Sequence, residues 1–324
     1  MAEKYLVALD CGKATTKILI SKSGSNEIKD RQSYPSVIGT PNSINNGTRF
    51  RVLNDSNEEV IDFIMQSPDG TRTNKVTSKR DVYHKAFALY SIAKYVKDGD
   101  RVDVALCMPM ETYLNEADRN DLLSYILPDG EIAVEIGGEK KKFFVDKKIA
   151  FSEGIGIIST QPKLFKDDDV AVIDIGGYNT HAIQVQNGNL IPSTMLSLSD
   201  VGSLQLFEEI LTALNSKGIA IDSYQLEATL KKGFVRNFKD KAKEELSREI
   251  IEGCVNARLE KIFQKMQEEQ WKNIDSLRLV FVGGTSLSLK NAIEKYFGEQ
   301  AKVLDEQDAI YSNVEGAMKK LRKS

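Results

Sequence analysis

Alternating apolar and polar positions over residues 5–20 predict two β-strands around a polar turn, and a second turn at Ser23-Gly24 leads to a third strand near 27–33. From about 34 to 80 the pattern weakens into Pro, Asn, Gly, Thr and Ser, broken by short apolar alternations (RFRVL, EEVIDFIM), which predicts a small, irregular inserted subdomain. Ala86, Leu89, Ala93 and Val96 then recur at helical spacing, and RVDVALCMP reads as a buried strand ended by Pro109. A helix over 115–126, a charged hairpin over 131–151 and a helix from Glu153 to 159 complete the first half.

After a polar linker at 166–169, AVIDIGGYNTHAIQVQNGNLI restarts the strand–turn–strand pattern of the N-terminus. Setting Asp10 on Asp174, an offset of 164 residues, also sets Gly12 on Gly176 and Thr16 on Thr180, the mark of a duplication. Helices follow near 203–215 and 224–232, then a long amphipathic stretch over 239–271 with Leu246, Ile250, Cys254, Ile262 and Met266 along one face. RLVFVGGTSLSLKNAIEKYF reads as strand, Gly-Gly turn and helix, and 308–321 as a terminal helix that returns to the first half. The expected class is α/β, since helices alternate with buried strands. At 324 residues the chain has room for two lobes of about 150 residues each. The first is expected over 1–160, with an insertion at about 34–100 and the C-terminal helix at about 305–324, and the second over 161–304.

Composition removes several function classes. Lys plus Arg is 44 and Asp plus Glu 47, well mixed along the chain, so no global electrostatic footprint for direct nucleic-acid binding is present. The basic runs at 140–142 and 319–323 are short, lack interleaved aromatics and read as solvated hairpin and tail. Cys11, Cys107 and Cys254 are far apart in apolar stretches, as buried thiols of a reducing compartment would be. No stretch approaches the roughly 20 apolar residues of a spanning helix, and the N-terminal apolar run is too short for a signal peptide. A cytoplasmic protein without a membrane partner is expected.

The duplicated hairpins carry the candidate chemistry. Each ends a buried strand on an Asp and turns through Gly, Thr and Asn, where backbone N–H groups and hydroxyls can surround phosphate oxygens. Two such hairpins would grip a triphosphate from opposite sides, with Asp10 and Asp174 holding Mg²⁺ largely through its waters. Lys17 starts the outgoing strand, where an ammonium could meet the β- and γ-phosphates, and His181 holds the matching place in the second copy. His181 reads either as a satisfied histidine under the turn or as a group beside the attacking water; His84 reads as structural. Gly283, Gly284 and Thr285 end a strand and open a helix, leaving room for flat approach of an adenine or ribose. Neither GxxxxGK[ST] nor a strand-borne GxGxxG is present.

ALDCGKATTKI, VIDIGGYNTHA and VFVGGTSLS, in that order, resemble the phosphate-one, phosphate-two and adenosine motifs of the actin, heat-shock chaperone and sugar-kinase superfamily. VDVALCMPMETYLN followed by KKIAFSEGIGI further resembles the ParM-type actin-like ATPases of plasmid segregation. The resemblance implies a duplicated actin-like (ribonuclease H-like) two-lobe fold with an interlobe nucleotide cleft, ATP hydrolysis, and Mg²⁺ as cofactor. It places Asp10, Gly12, Lys13, Thr15, Thr16 and Lys17 in the first phosphate motif and Asp174, Gly176, Gly177, Asn179 and Thr180 in the second. Glu153 falls where the family orients the attacking water, the alternative being a helix N-terminal Glu favoured by the macrodipole. Gly202 resembles a glycine near the nucleotide, and Glu227 and Lys231 are candidates for base or ribose contacts. Lys13, and Tyr178 with Asn179, depart from the family pattern, which leaves the rate open and GTP beside ATP. The partners implied are further copies of the chain in a head-to-tail filament and a small DNA-binding adaptor on plasmid centromere-like DNA. The rivals are a small-molecule kinase of the same superfold and a non-plasmid cytoskeletal scaffold, in which nucleotide merely fixes the lobe angle.

Overall fold

The computed structural model describes residues 2–41, 47–54, 59–67, 70–72, 78–166, 168–222, 225–269, 271 and 273–324. The chain divides into two compact units, Met1–Gly156 with Asn313–Ser324, and Ile157–Ser312. The first division falls four residues before 160 and the second eight residues after 304.

The first unit is built on strands β1 (Lys4–Cys11), β2 (Thr15–Lys22), β3 (Asp30–Pro35), β4 (Val37–Gly39), β5 (Thr48–Leu53), β6 (Glu59–Met65), β7 (Thr71–Arg72), β8 (Asp100–Met108), β9 (Gly130–Ile136) and β10 (Glu139–Ser152), with helices α1 (Val82–Ala93), α2 (Met110–Leu114) and α3 (Glu116–Ile126). β1 and β8 are nearly continuous in apolar residues because both faces are covered; Val7, Leu9, Val102 and Val104 are wholly buried. β1 pairs antiparallel with β2 and parallel with β8, and β8 pairs parallel with β10, giving the order β3-β2-β1-β8-β10. The sheet then continues through β9, β5, β6, β4 and β7. Within the stretch expected to be irregular, RFRVL and EVIDFIM are thus ladder strands, paired from Thr48↔Met65 to Leu53↔Glu59. Their alternation was short because each is an outlying strand carried by the β9–β10 hairpin. A register shift between Val145 and Lys147 bulges β10 within its ladder with β8, at the point where its pairing with β9 ends.

Caps set the helices. Asp81 accepts the N–H groups of Tyr83 and His84 at the start of α1, and Asn115 those of Ala117 and Asp118 at the start of α3, at 3.0 and 3.2 Å. Asn115→Ala is expected to destabilise the first unit by about 1 kcal/mol, read as a lower urea midpoint with an unchanged slope. The basic runs are less solvated than their composition implied. Lys141 donates to Ala93 O and Val96 O at the end of α1, where orphan carbonyls attract a cation.

The second unit repeats the plan with α4 (Gly156–Thr160), β11 (Val170–Ile175), β12 (Thr180–Gln186), β13 (Asn189–Leu190), β14 (Leu196–Leu198), α5 (Ser203–Ser216), α6 (Leu226–Lys232), α7 (Lys241–Glu268), β15 (Arg278–Val282), α8 (Gly284–Ser288), α9 (Lys290–Phe297), β16 (Ala301–Val303) and α10 (Glu306–Lys323). β11 is antiparallel to β12 and parallel to β15, itself parallel to β16, in the order β13-β12-β11-β15-β16. First strand central, meander on one side and two parallel strands on the other: the two units share one topology, as the duplicated motif predicted. α7 buries Ser247, Ile251, Val255, Arg258, Leu259, Ile262 and Met266, while Leu246, Ile250 and Cys254 flank that stripe. Ile262 and Met266 lie on the predicted face, whereas the first half of the stripe runs one position later, through Ser247, Ile251 and Val255, because two polar residues belong to it. Ser247 Oγ accepts Val235 N–H, and the Arg258 guanidinium donates to Asp200 O and Glu209, so both are buried with partners.

α10 begins in the second unit and its last turns belong to the first, where Asn313 Oδ1 accepts Gly154 N–H and Lys320 donates to Ala150 O at 3.1 Å. Arg322 donates to Ser21 Oγ and Asn26 O, so the C-terminal basic run is docked through Lys320 and Arg322 rather than fully solvated. No helix among the described residues is long and apolar enough to cross a membrane.

Candidate functional site

The two hairpins are the same object. In the first, Asp10 lies opposite Lys17 and Cys11 opposite Thr16; in the second, Asp174 lies opposite His181 and Ile175 opposite Thr180. Gly12 N–H donates to Thr15 O at 3.1 Å, and Gly176 N–H to Asn179 O at 2.9 Å. A Cβ on Gly12 would stand 2.6 Å from Thr15 O, and one on Gly176 2.9 Å from Asn179 O, so only glycine closes either turn. Both aspartates are buried at the ends of central strands, where a carboxylate needs a cation or donors.

In the first unit that cation is supplied twice. Lys17 Nζ lies 3.3 Å from Asp10 Oδ2, and Lys79 Nζ lies 3.8 Å from Asp10 Oδ1 while forming a tight ion pair with Glu153. Burial favours the uncharged form of Lys79, but the charges of Glu153 and Asp10 outweigh it and hold its pKa above the ordinary lysine range. The cluster therefore keeps a protonated ammonium between two carboxylates. Glu153 sits in the turn after β10, with its N–H on Met108 O at 2.9 Å, and α4 starts three residues later. The expectation that a helix begins at Glu153 is corrected: Glu153 stands in the turn, where it pairs with Lys79, and the helix begins at Gly156. Burial pushes the Cys11 thiol beneath this cluster up to about 12, and Cys107 is likewise raised by burial, leaving both inert. Cys254 is only half-buried.

Several residues expected to touch a nucleotide instead brace the loops. Thr16 and Thr180 are fully buried; Thr16 Oγ1 meets Ser36 Oγ at 2.9 Å, and Thr180 Oγ1 donates to Val201 O at 3.0 Å. Each begins an outgoing strand with its side chain turned into the core, where a hydroxyl must find a partner. Ser36 Oγ in turn donates to Gly12 O at 2.6 Å, and Ser36 N–H to Ala14 O at 3.0 Å. The second loop is backed the same way by Gly202: the N–H groups of Gly202, Ser203 and Leu204 go to the carbonyls of Tyr178, Gly176 and Gly177. A Cβ on Gly202 would lie 2.6 Å from Gly177 C and O and from Tyr178 C, so this glycine serves loop packing. Asn179 keeps a buried side-chain oxygen without a hydrogen-bond partner among the described residues.

The Gly-Gly turn stands beside this loop. Gly283 has φ of +89°, its N–H donates to Ala309 O, and a Cβ there would collide with Asp174 Oδ1 and approach Ile175 O to 3.0 Å. A Cβ on Gly284 would meet nothing within 4 Å, and Thr285 Oγ1 lies 3.5 Å from Gly176 O. α6 packs against α8, but Glu227 and Lys231 sit on its exposed face and pair with each other at 3.4 Å. Tyr224, the expected start of that helix, lies outside the described residues.

The geometry thus gathers Asp10, Lys17 and Glu153 in the first unit, and Asp174, His181, Gly176, Gly177, Gly283 and Thr285 in the second. Lys13 and Thr15 lie half-buried on the first loop. Sequence reading missed Lys79 and Ser36. Neither lies in a motif, and Lys79 closes the weakly patterned stretch just before the cap of α1.

Residues 8–156 match the family model of the N-terminal domain of actin-like proteins. No curated protein sequence matches the chain. Over the whole length, a 15-stranded ParM filament from Clostridium botulinum aligns at 15% identity and a TM-score of 0.71, covering 99% of this chain and 100% of that one. An Alp12 filament aligns at 23% identity and a TM-score of 0.68, covering 99% and 98%. Bacillus thuringiensis ParM with ATP aligns at 14% identity and a TM-score of 0.65, covering 98% of both. The chain therefore has the actin-like fold from end to end, and the ParM-type likeness read from VDVALCMPMETYLN and KKIAFSEGIGI holds for its architecture. Within the actin-like fold the paired hairpins occupy the ends of the two central strands, β1 and β11.

Proposed function

We propose that this chain is a filament-forming actin-like ATPase that binds Mg-ATP through both hairpins and uses hydrolysis to limit filament lifetime. The observation that carries this reading is the recurrence in both units of one Asp-x-Gly hairpin, with the same turn bond and the same glycine-only closeness. Filaments and an ATP complex among structures of the same fold support it.

In this reading the hard oxygens of Asp10 and Asp174 suit Mg²⁺ held through water, and the ion would neutralise phosphate charge. Lys17 offers its ammonium to the phosphates; backbone groups of Gly12, Lys13, Thr15, Gly176 and Gly177, with the Asn179 amide, line the loops. Thr16, Thr180 and Gly202 hold those loops from behind. Glu153 orients the attacking water, Lys79 fixes Glu153, and His181 lies on the same face of the hairpin as Asp174. Gly283, Gly284 and Thr285 offer a surface to adenosine, with Glu227 and Lys231 at its margin. Plasmid segregation through a small DNA-binding adaptor is the finer reading, resting on the ParM-type likeness.

Right-angle light scattering with a pelleting check, after adding Mg-ATP over a range of protein concentrations, tests the proposal. A signal above a critical concentration that decays with phosphate release is expected, and running GTP in parallel sets nucleotide preference. No assembly at any concentration would sink the filament reading, and release only with an added hydroxyl compound would replace it by a kinase.

A further inference from the structure

The loop joining α6 to α7 projects an aromatic and basic tip. Phe238 is 83% exposed, and the Arg236 guanidinium lies over both Phe234 and Phe238, at 5.5 and 5.7 Å from the ring centroids. Arg248, from the second turn of α7, covers the Phe234 ring at 4.4 Å. Between Lys231 and Arg248 stand seven Lys or Arg against three Asp or Glu, in a chain whose net charge is −3. Cation–π stacking holds the tip in shape, so an exposed Phe with a pre-placed Arg is presented at little entropic cost. Such residues are enriched where partner surfaces meet.

The other end of the same unit is acidic. A cavity of about 270 Å³ opens at the start of β11 and β15, where four carboxylates, Asp168, Asp169, Asp275 and Glu299, outnumber the single cation Arg278 in its lining. Asp168 pairs with Arg278 at 3.1 Å and Asp169 accepts from Gln186 at 3.3 Å, while Asp275 and Glu299 are exposed and in no ion pair among the described residues. α7 separates the two features. It starts at the tip, passes Asp200 at Arg258, and ends before Trp271 and the turn that carries Asp275. Its twenty-eight residues at about 1.5 Å each span about 42 Å.

We infer that the Phe238–Arg236 tip of one copy docks on the Asp275–Glu299 cavity of the next, a directional contact that repeats from copy to copy. Tip against tip and cavity against cavity both set like charges together, so the symmetric pairings are disfavoured and the heterologous one remains. A heterologous contact that does not close on itself builds a filament. This inference rests on the filament reading above and assigns that assembly a surface.

The test uses two full-length variants, Arg236→Glu/Lys239→Glu and Asp275→Lys/Glu299→Lys, neither of which touches the nucleotide residues; ATP binding at the wild-type level shows that each is folded. Each alone is expected to raise the critical concentration in Mg-ATP by about tenfold or more, the equivalent of about 1.4 kcal/mol per contact. Mixed one to one, they are expected to co-assemble near the wild-type critical concentration, because every reversed tip then meets a reversed cavity. Variants that assemble alone like wild type, or a mixture that stays inert, would overturn the assignment while leaving the filament reading intact. Wild type that never assembles would instead bring down both. Duplex DNA binding by wild type that Arg236→Glu/Lys239→Glu abolishes, with assembly unchanged, would reassign the tip to nucleic acid and also overturn it.

Discussion

Glu153→Ala is expected to slow phosphate release by about a hundredfold or more, the usual scale for losing a group that orients or activates the attacking water, with ATP affinity nearly unchanged. The substitution also strands Lys79. Its side chain is only 10% exposed, and its remaining carboxylate, Asp10, stands 3.8 Å away. Removing one partner of a buried pair costs about 3–5 kcal/mol, so a lower melting temperature alone would not separate chemistry from folding. The pair does separate them. Lys79→Met/Glu153→Ala removes both charges and is expected to recover most of the lost stability while phosphate release stays slow, and the non-additivity measures the coupling. Recovery of hydrolysis in the double variant would mean that Glu153 serves only to neutralise Lys79. Unchanged hydrolysis in Glu153→Ala would remove it from the mechanism altogether.

The cluster around Lys79 also bears on how the first loop is held before any nucleotide arrives. Asp10 and Glu153 are carboxylates without room for free solvation, and Lys79 and Lys17 neutralise them inside the unit. A cation entering near Asp10 would compete with an ammonium already in place, which makes Lys79 a positioning residue for both carboxylates rather than a bystander.

What could be read from the sequence followed from short-range rules. The hairpins were legible because strand alternation, a buried Asp and a turn glycine recur at one offset, and a glycine needed for close approach leaves a signal no other residue gives. The class followed from buried strands alternating with helices, and the Gly-Gly turn from its place before a helix. Lys79 was not legible, since its role depends on the turn after β10 delivering Glu153 to it, a contact between residues 74 positions apart. Thr16 and Thr180 looked like phosphate groups because nothing local says which way a hydroxyl at a strand start points; Ser36 and Val201, brought in by the returning chain, decide it. The strands from 48 to 65 were missed for a related reason. Their partners are β9 and each other, so their short alternations acquire meaning only once the β9–β10 hairpin carries the sheet outward.

The two glycines of the third motif, alike in sequence, are expected to respond oppositely to substitution. Gly283→Ala places a methyl against the Asp174 carboxylate and within 3.0 Å of Ile175 O, at a φ of +89° that an L-residue rarely adopts. Either the turn or Asp174 must move. The strain and overpacking together are expected to cost about 2–4 kcal/mol of stability, and the displaced carboxylate to weaken Mg-ATP binding by about a hundredfold. Gly284→Ala meets no atom within 4 Å, and alanine at the start of a helix costs nothing, so its melting temperature is expected to match wild type. Titration of a fluorescent ATP analogue against both variants then isolates the ligand's own demand for space. Weakened binding in the stable Gly284→Ala protein would mean that nucleotide fills the open side of the turn. Full affinity there, with loss confined to Gly283→Ala, would mean that the paired glycines exist to seat Asp174 and that adenosine lies elsewhere.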